Sequence, residues 1–75
     1  MKVLVSYGSA WGRGKTHLPD KRNPRKNDPT YFGPPKVPIC NPKGIYADLQ
    51  DGAMEDVTCK TCLKIYARDP SRVST

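Results

Sequence analysis

Four residues in this chain have side chains that bind soft or borderline metal ions: His17, Cys40, Cys59 and Cys62. They are the single histidine and all three cysteines of 75 residues. Structural zinc takes four nitrogen or sulfur donors in a tetrahedron, and Cys3His is one of its usual sets. Cys59-Lys60-Thr61-Cys62 supplies two donors from one local knuckle. The other two come from remote segments, 22 residues separating His17 from Cys40 and 18 separating Cys40 from Cys59. One Zn2+ on these four residues would tie distant loops together. Other readings stay open at this point. His17 and Cys40 can be an ordinary loop histidine and an ordinary buried thiol, and Cys59 with Cys62 can be a redox pair. The redox scaffold is larger than this chain can supply.

The need for such a staple follows from size. A single domain of 75 residues buries little apolar surface, and Gly plus Pro make up 14 residues here. An odd cysteine count does not suit a disulfide framework. The apolar run Val3-Leu4-Val5 is too short for a signal peptide, and nothing approaches a membrane span. The expectation is a cytoplasmic monomer, with no membrane association and reduced thiols.

The elements that position the ligands are short. Lys2 to Tyr7 reads as a strand, followed by a turn around Gly8, Trp11, Gly12 and Gly14. Lys15 to Leu18 reads as a second strand, stopped by Pro19, and Lys36 to Cys40 as a third. Gly44 to Asp56 has no clean period. Cys59, Cys62, Leu63 and Tyr66 fall on one helical face, with Thr58 as cap and Pro70 as terminator. The expected fold is α+β, a single zinc-stapled domain over 1–75 of zinc-ribbon or treble-clef type. Its short strands are followed by one C-terminal helix over about 58–69.

Net charge is +6 and sits at the front. Residues 1–43 carry nine Lys/Arg against Asp20 and Asp28, whereas residues 44–75 carry four against five acids. Residues 19–36 hold five prolines and predict a long basic surface loop, kept extended and off the core. Arg13, Lys15, Lys21, Arg22, Arg25 and Lys26 offer contacts to phosphates. Tyr31 and Phe32, and with them Trp11, offer faces for base stacking or a miniature core over the metal.

The strings Lys15-Thr16-His17-Leu18 and Val57-Thr58-Cys59-Lys60-Thr61-Cys62-Leu63-Lys64 resemble small zinc-finger-like proteins of actinobacteria and their bacteriophages. In those a His-Leu on a strand and a lone cysteine precede a Val-Thr-Cys-x-x-Cys-Leu that opens the terminal helix. The resemblance spans residues 15–66 and implies zinc on His17, Cys40, Cys59 and Cys62, with Leu63 in the core. Glycine often follows the lone cysteine there. Here it is Asn41, which tolerates the left-handed backbone such a knuckle asks for.

Two other motifs fail. Gly12-Arg13-Gly14-Lys15-Thr16 lacks the upstream glycine of a phosphate-binding loop, and Pro19 denies it the helix. A metal nuclease needs a histidine base beyond the ligands, and His17 is the only one. The expectation is no enzyme. It is a DNA- or RNA-binding module of phage or bacterial origin using the basic loop, in the host cytoplasm if phage-encoded. The alternative is an adaptor that engages a host protein.

Overall fold

A computed structural model describes residues 1–7, 14–28, 30–31 and 35–74. The predicted turn at Trp11, the candidate contacts Arg13 and Phe32, and Pro34 lie outside the described residues. Among the described residues three strands form one antiparallel sheet: β1 (Lys2–Ser6), β2 (Thr16–His17) and β3 (Ala47–Asp51), in the order β2-β1-β3. One helix among the described residues, α1 (Lys60–Arg68), lies between short 3₁₀ turns at Met54–Asp56 and Pro70–Arg72. The fold is therefore α+β, as the sequence predicts. Among the described residues no helix is long and apolar enough to cross a membrane.

Strand β1 is central because its side chains are buried on successive positions. Val3 and Leu4 are both shielded from solvent, which explains a run of apolar residues without alternation. Its register sets Leu4 opposite both His17 and Leu49. The unassigned stretch 44–56 contains β3, whose Ala-Asp-Leu-Gln-Asp carries little strand propensity and is held by pairing along all of β1.

The segment predicted as a strand over Lys36 to Cys40 forms isolated bridges instead. Ile39 N donates to Leu18 O and Asp20 N to Val37 O, both at 2.9 Å. Residues 19–21 also pair with the C-terminal segment: Lys21 N donates to Arg72 O and Ser74 N to Pro19 O, also at 2.9 Å. Prolines at 19 and 38 lack the donor that a regular ladder needs. Lys36 and Ile45 exchange both backbone bonds, at 2.8 and 2.7 Å. The tight turn that returns the chain uses Gly44 at φ +90°. Asn41 does not use the left-handed conformation that asparagine tolerates, for no described residue other than glycine has positive φ.

The basic loop differs from its expectation most. Asp20, Asn27 and Lys36 are buried. The Asn27 amide donates to Asp20 O at 3.1 Å and to Val37 O at 2.7 Å, and its oxygen accepts from Val37 N at 3.0 Å. Prolines preclude helix and sheet, but they do not prevent a side-chain amide from pinning both ends of the loop to the core. Lys36 is drawn in as well. Its ammonium bonds the Tyr31 carbonyl and lies 4.7 Å from the Tyr31 ring centre.

Helix α1 begins one residue later than the hydroxyl cap would place it. Cys59 is the N-cap, its Sγ accepting from Cys62 N at 3.5 Å. Asp69 closes the helix and Pro70 opens the next turn, so the predicted stop holds. The inward face is Cys62, Ile65 and Tyr66. Leu63, expected in the core, is 36% exposed, because the face rotates toward Ile65. The core gathers Val3, Leu18, Ile39, Val57, Cys59, Cys62 and Val73, so two candidate ligands are themselves core residues.

Candidate metal centre

Each ligand is delivered by a different local device. His17 lies on β2, two residues long, which pairs with β1 through Leu4. Cys40 follows the bridged segment at Ile39 and sits in the turn that begins the hairpin to Ile45. Cys59 and Cys62 sit at the cap and in the first turn of α1. The helix start is fastened to β2 by Thr16. Thr58 N and Cys59 N both donate to Thr16 O at 3.1 Å, and Thr16 N donates back to Thr58 Oγ1 at 3.0 Å. The hydroxyl read as a helix cap therefore serves the sheet, adjacent to the histidine.

The four donor atoms lie within 4.8 Å of one another. His17 Nδ1 is 3.4 Å from Cys40 Sγ and 3.6 Å from Cys62 Sγ, and Cys59 Sγ is 3.9 Å from Cys40 Sγ. A tetrahedral ion bound by sulfur at about 2.3 Å and by nitrogen at about 2.0 Å has sulfur–nitrogen edges of about 3.6 Å and sulfur–sulfur edges of about 3.8 Å. Three of the six donor edges match these values, and the whole set is close enough to hold one metal ion. It also names the nitrogen: the histidine faces the group through Nδ1. All three cysteines are free thiols. A redox pair would require only Cys59 and Cys62, and would not account for the arrival of His17 and Cys40.

The electrostatics fit a cation. Burial, and then the neighbouring thiols, push the Cys40 thiol far up. Burial likewise raises Cys62, although the Leu18 N–H works against it. Burial also acts upward on Cys59, but the Cys62 N–H and the surrounding hydrogen bonds outweigh it, and the net direction is down. Burial and the Lys15 charge lower His17, so its imidazole is held in the neutral form that ligates. Thiols this close resist ionising together unless a positive charge lies between them. The four residues are placed to hold a metal ion, and a tetrahedral ion there would have all four vertices filled by protein, the arrangement of a structural site.

The predicted nucleic-acid contacts are dispersed. Lys15, Lys21, Arg22, Arg25 and Lys26 are exposed. Arg22 is engaged: its guanidinium makes hydrogen bonds of 2.9 to 3.2 Å to both carboxylate oxygens of buried Asp20. Tyr31 is half-buried, with the Lys36 ammonium 4.7 Å from its ring centre. Sequence reasoning missed the positioning residues Thr16, Asp20, Asn27 and Arg72. Each acts through a bond to a distant segment, and no local pattern marks it. No protein-family model, curated protein or solved structure matches the chain.

Proposed function

We propose that the chain is a zinc-stapled, non-enzymatic module that binds DNA or RNA through its basic loop. The observation that carries the zinc assignment is the fit of the donor edges, 3.4, 3.6 and 3.9 Å, to a tetrahedral Cys3His cage. Three thiolates favour zinc over the hard cations. Filled vertices leave no position for a reacting water, which supports a structural rather than a catalytic ion. Support for nucleic acid comes from the loop. Lys21, Arg25 and Lys26 are exposed, while Asn27 is buried and fastens their backbone to the core. A cationic surface fixed in shape loses less entropy on meeting a phosphate backbone than a floppy one.

The test has two parts. Elemental analysis of purified protein should find one zinc per chain, and cobalt substitution should give the spectrum of a tetrahedral thiolate site. Binding to generic DNA and RNA duplexes and single strands should weaken steeply with salt. A metal-loaded chain that binds no nucleic acid at low salt would end this reading in favour of a protein-binding adaptor.

A further inference from the structure

Two large aromatic side chains stand in solvent at the end of the sheet. Tyr7 N donates to Tyr46 O at 3.0 Å, which continues the β1–β3 register one pair beyond Ser6 and Ala47. The tyrosines therefore oppose each other, and they are 59% and 66% exposed. Directly opposed residues share a face and bring their Cβ atoms to about 5 Å. Asp48, two residues after Tyr46, lies on that face as well. The Tyr7 hydroxyl donates to Asp48 Oδ1 at 2.7 Å. That bond fixes the Tyr7 ring and occupies one oxygen of an exposed carboxylate.

The same face continues into a cavity of about 320 Å³ lined by Val3, Val5, Thr16, Gln50, Asp51 and Asp56. Val5 pairs with both Asp48 and Thr16, so the cavity adjoins the tyrosines. The charge here has one sign. Residues 44–59 hold Asp48, Asp51, Glu55 and Asp56 but no Lys or Arg, in a chain of net charge +6. Lys2 pairs with Asp51 at 2.7 Å, whereas Asp48 forms no ion pair among the described residues. Lys15 is level with Ser6 and so belongs to the opposite face of the sheet.

We propose that this face docks a basic polypeptide, with an arginine or lysine side chain held against the Tyr7 and Tyr46 rings and the Asp48 carboxylate. Aromatic faces attract cations, guanidinium most often, and a carboxylate beside them adds a charged acceptor. The same carboxylate repels the phosphates that would accompany a base stacked on the tyrosines. Charge thus favours a polypeptide over single-stranded nucleic acid on this face. The proposal is separate from the basic loop and does not rest on that loop's binding of DNA or RNA.

The test titrates the metal-loaded full chain with a short peptide of alternating Gly and Arg, blocked at both ends, and follows it by NMR. The Tyr7 and Tyr46 ring resonances and the Asp48 amide should move to saturation. Tyr46→Ala removes an exposed ring and no charge. It should weaken the peptide about two- to five-fold without loss of metal. Asp48→Asn should weaken it several-fold. Equal affinity in Tyr46→Ala would reduce the contact to diffuse charge attraction and overturn the site, as would peptide shifts confined to other residues. A single-stranded oligonucleotide that moves the tyrosine rings when the peptide does not would make the face a base-stacking surface and overturn the proposal. Shifts of the same rings on concentrating the chain alone would make a second copy the occupant and overturn the separate partner.

Discussion

Thr16 and Thr58 are bonded in both directions: Thr58 N donates to Thr16 O at 3.1 Å, and Thr16 N donates to Thr58 Oγ1 at 3.0 Å. The pair joins the strand residue before His17 to the residue before Cys59. It fixes the separation of two metal donors by backbone geometry before any metal arrives. Thr58→Val keeps the shape but leaves Thr16 N without its acceptor. It should cost about 1 kcal/mol and weaken metal retention against a chelator by several-fold, while Thr58→Ser should be close to wild type. Equal chelator sensitivity of Thr58→Val and wild type would show that the pairing does not position the site.

Removing the cage itself should be far more severe. Structural zinc contributes about 10 to 16 kcal/mol of apparent binding energy in small finger peptides, more than a core this small supplies. Cys62→Ser, Cys59→Ser and chelation of the wild type should each unfold most of the domain. Lys60→Ala, exposed on the first turn, should change little. Amide dispersion in the metal-free chain equal to that of the loaded chain would contradict this.

Ligand types and one helical face were legible in the sequence because both are local. Cys59 and Cys62 announce themselves by spacing, and the helix by periodicity with Pro70 as its stop. What escaped is held by remote partners. Strand β3 has only Ala47 buried, and its extended form comes from pairing with β1. The basic loop reads as free because prolines dominate it, yet one amide, Asn27, anchors it through three hydrogen bonds. Leu63 shows the finer limit. Positions 59, 62, 63 and 66 share a stripe, but the cluster of Leu18, Ile39 and Val73 decides which edge of that stripe is covered.

The hairpin that carries Cys40 depends on Gly44. At φ +90° a Cβ there would sit 2.9 Å from Pro35 Cβ and 3.0 Å from Lys36 O. Gly44→Ala therefore meets both a disfavoured backbone and a clash. It should destabilise the metal-loaded protein by about 1 to 3 kcal/mol in chemical denaturation. A stability equal to wild type would mean that the turn relaxes freely and does not constrain Cys40.

Asp20 gives a pH prediction. Burial pushes its carboxyl up, but Arg22, through hydrogen bonds and charge, and Arg72 behind it outweigh burial and hold it below the ordinary value. A lowered folded value stabilises the protein above the unfolded carboxyl value, about 3.9, and that contribution is lost only as pH falls through the lower folded value. Asp20→Asn should thus cost about 2 kcal/mol, and the gap from wild type should stay constant between pH 8 and pH 6. Denaturation of metal-saturated protein at both pH values checks this. A gap that closes on acidification within that interval would mean that the carboxyl is raised.

The last prediction separates the loop's free charges from its structural one. Arg22 is committed to Asp20, with a bidentate geometry that also fixes the loop's first turn: Arg22 N donates to Asp20 Oδ1 at 2.9 Å. Lys21, Arg25 and Lys26 are exposed and have no such role in the core. Replacing these three with Ala should leave metal content and unfolding unchanged. If the partner is duplex DNA, the triple variant should weaken binding alike for all sequences and reduce the magnitude of the salt slope by up to about three, since each neutralised phosphate contributes about 0.9. Arg22→Ala should behave differently, lowering stability as well as affinity, because it leaves the buried carboxylate without its main partner. Fluorescence anisotropy across a salt series, with thermal unfolding of the same samples, distinguishes the two. Equal salt slopes for wild type and the triple variant would remove the loop from the contact surface.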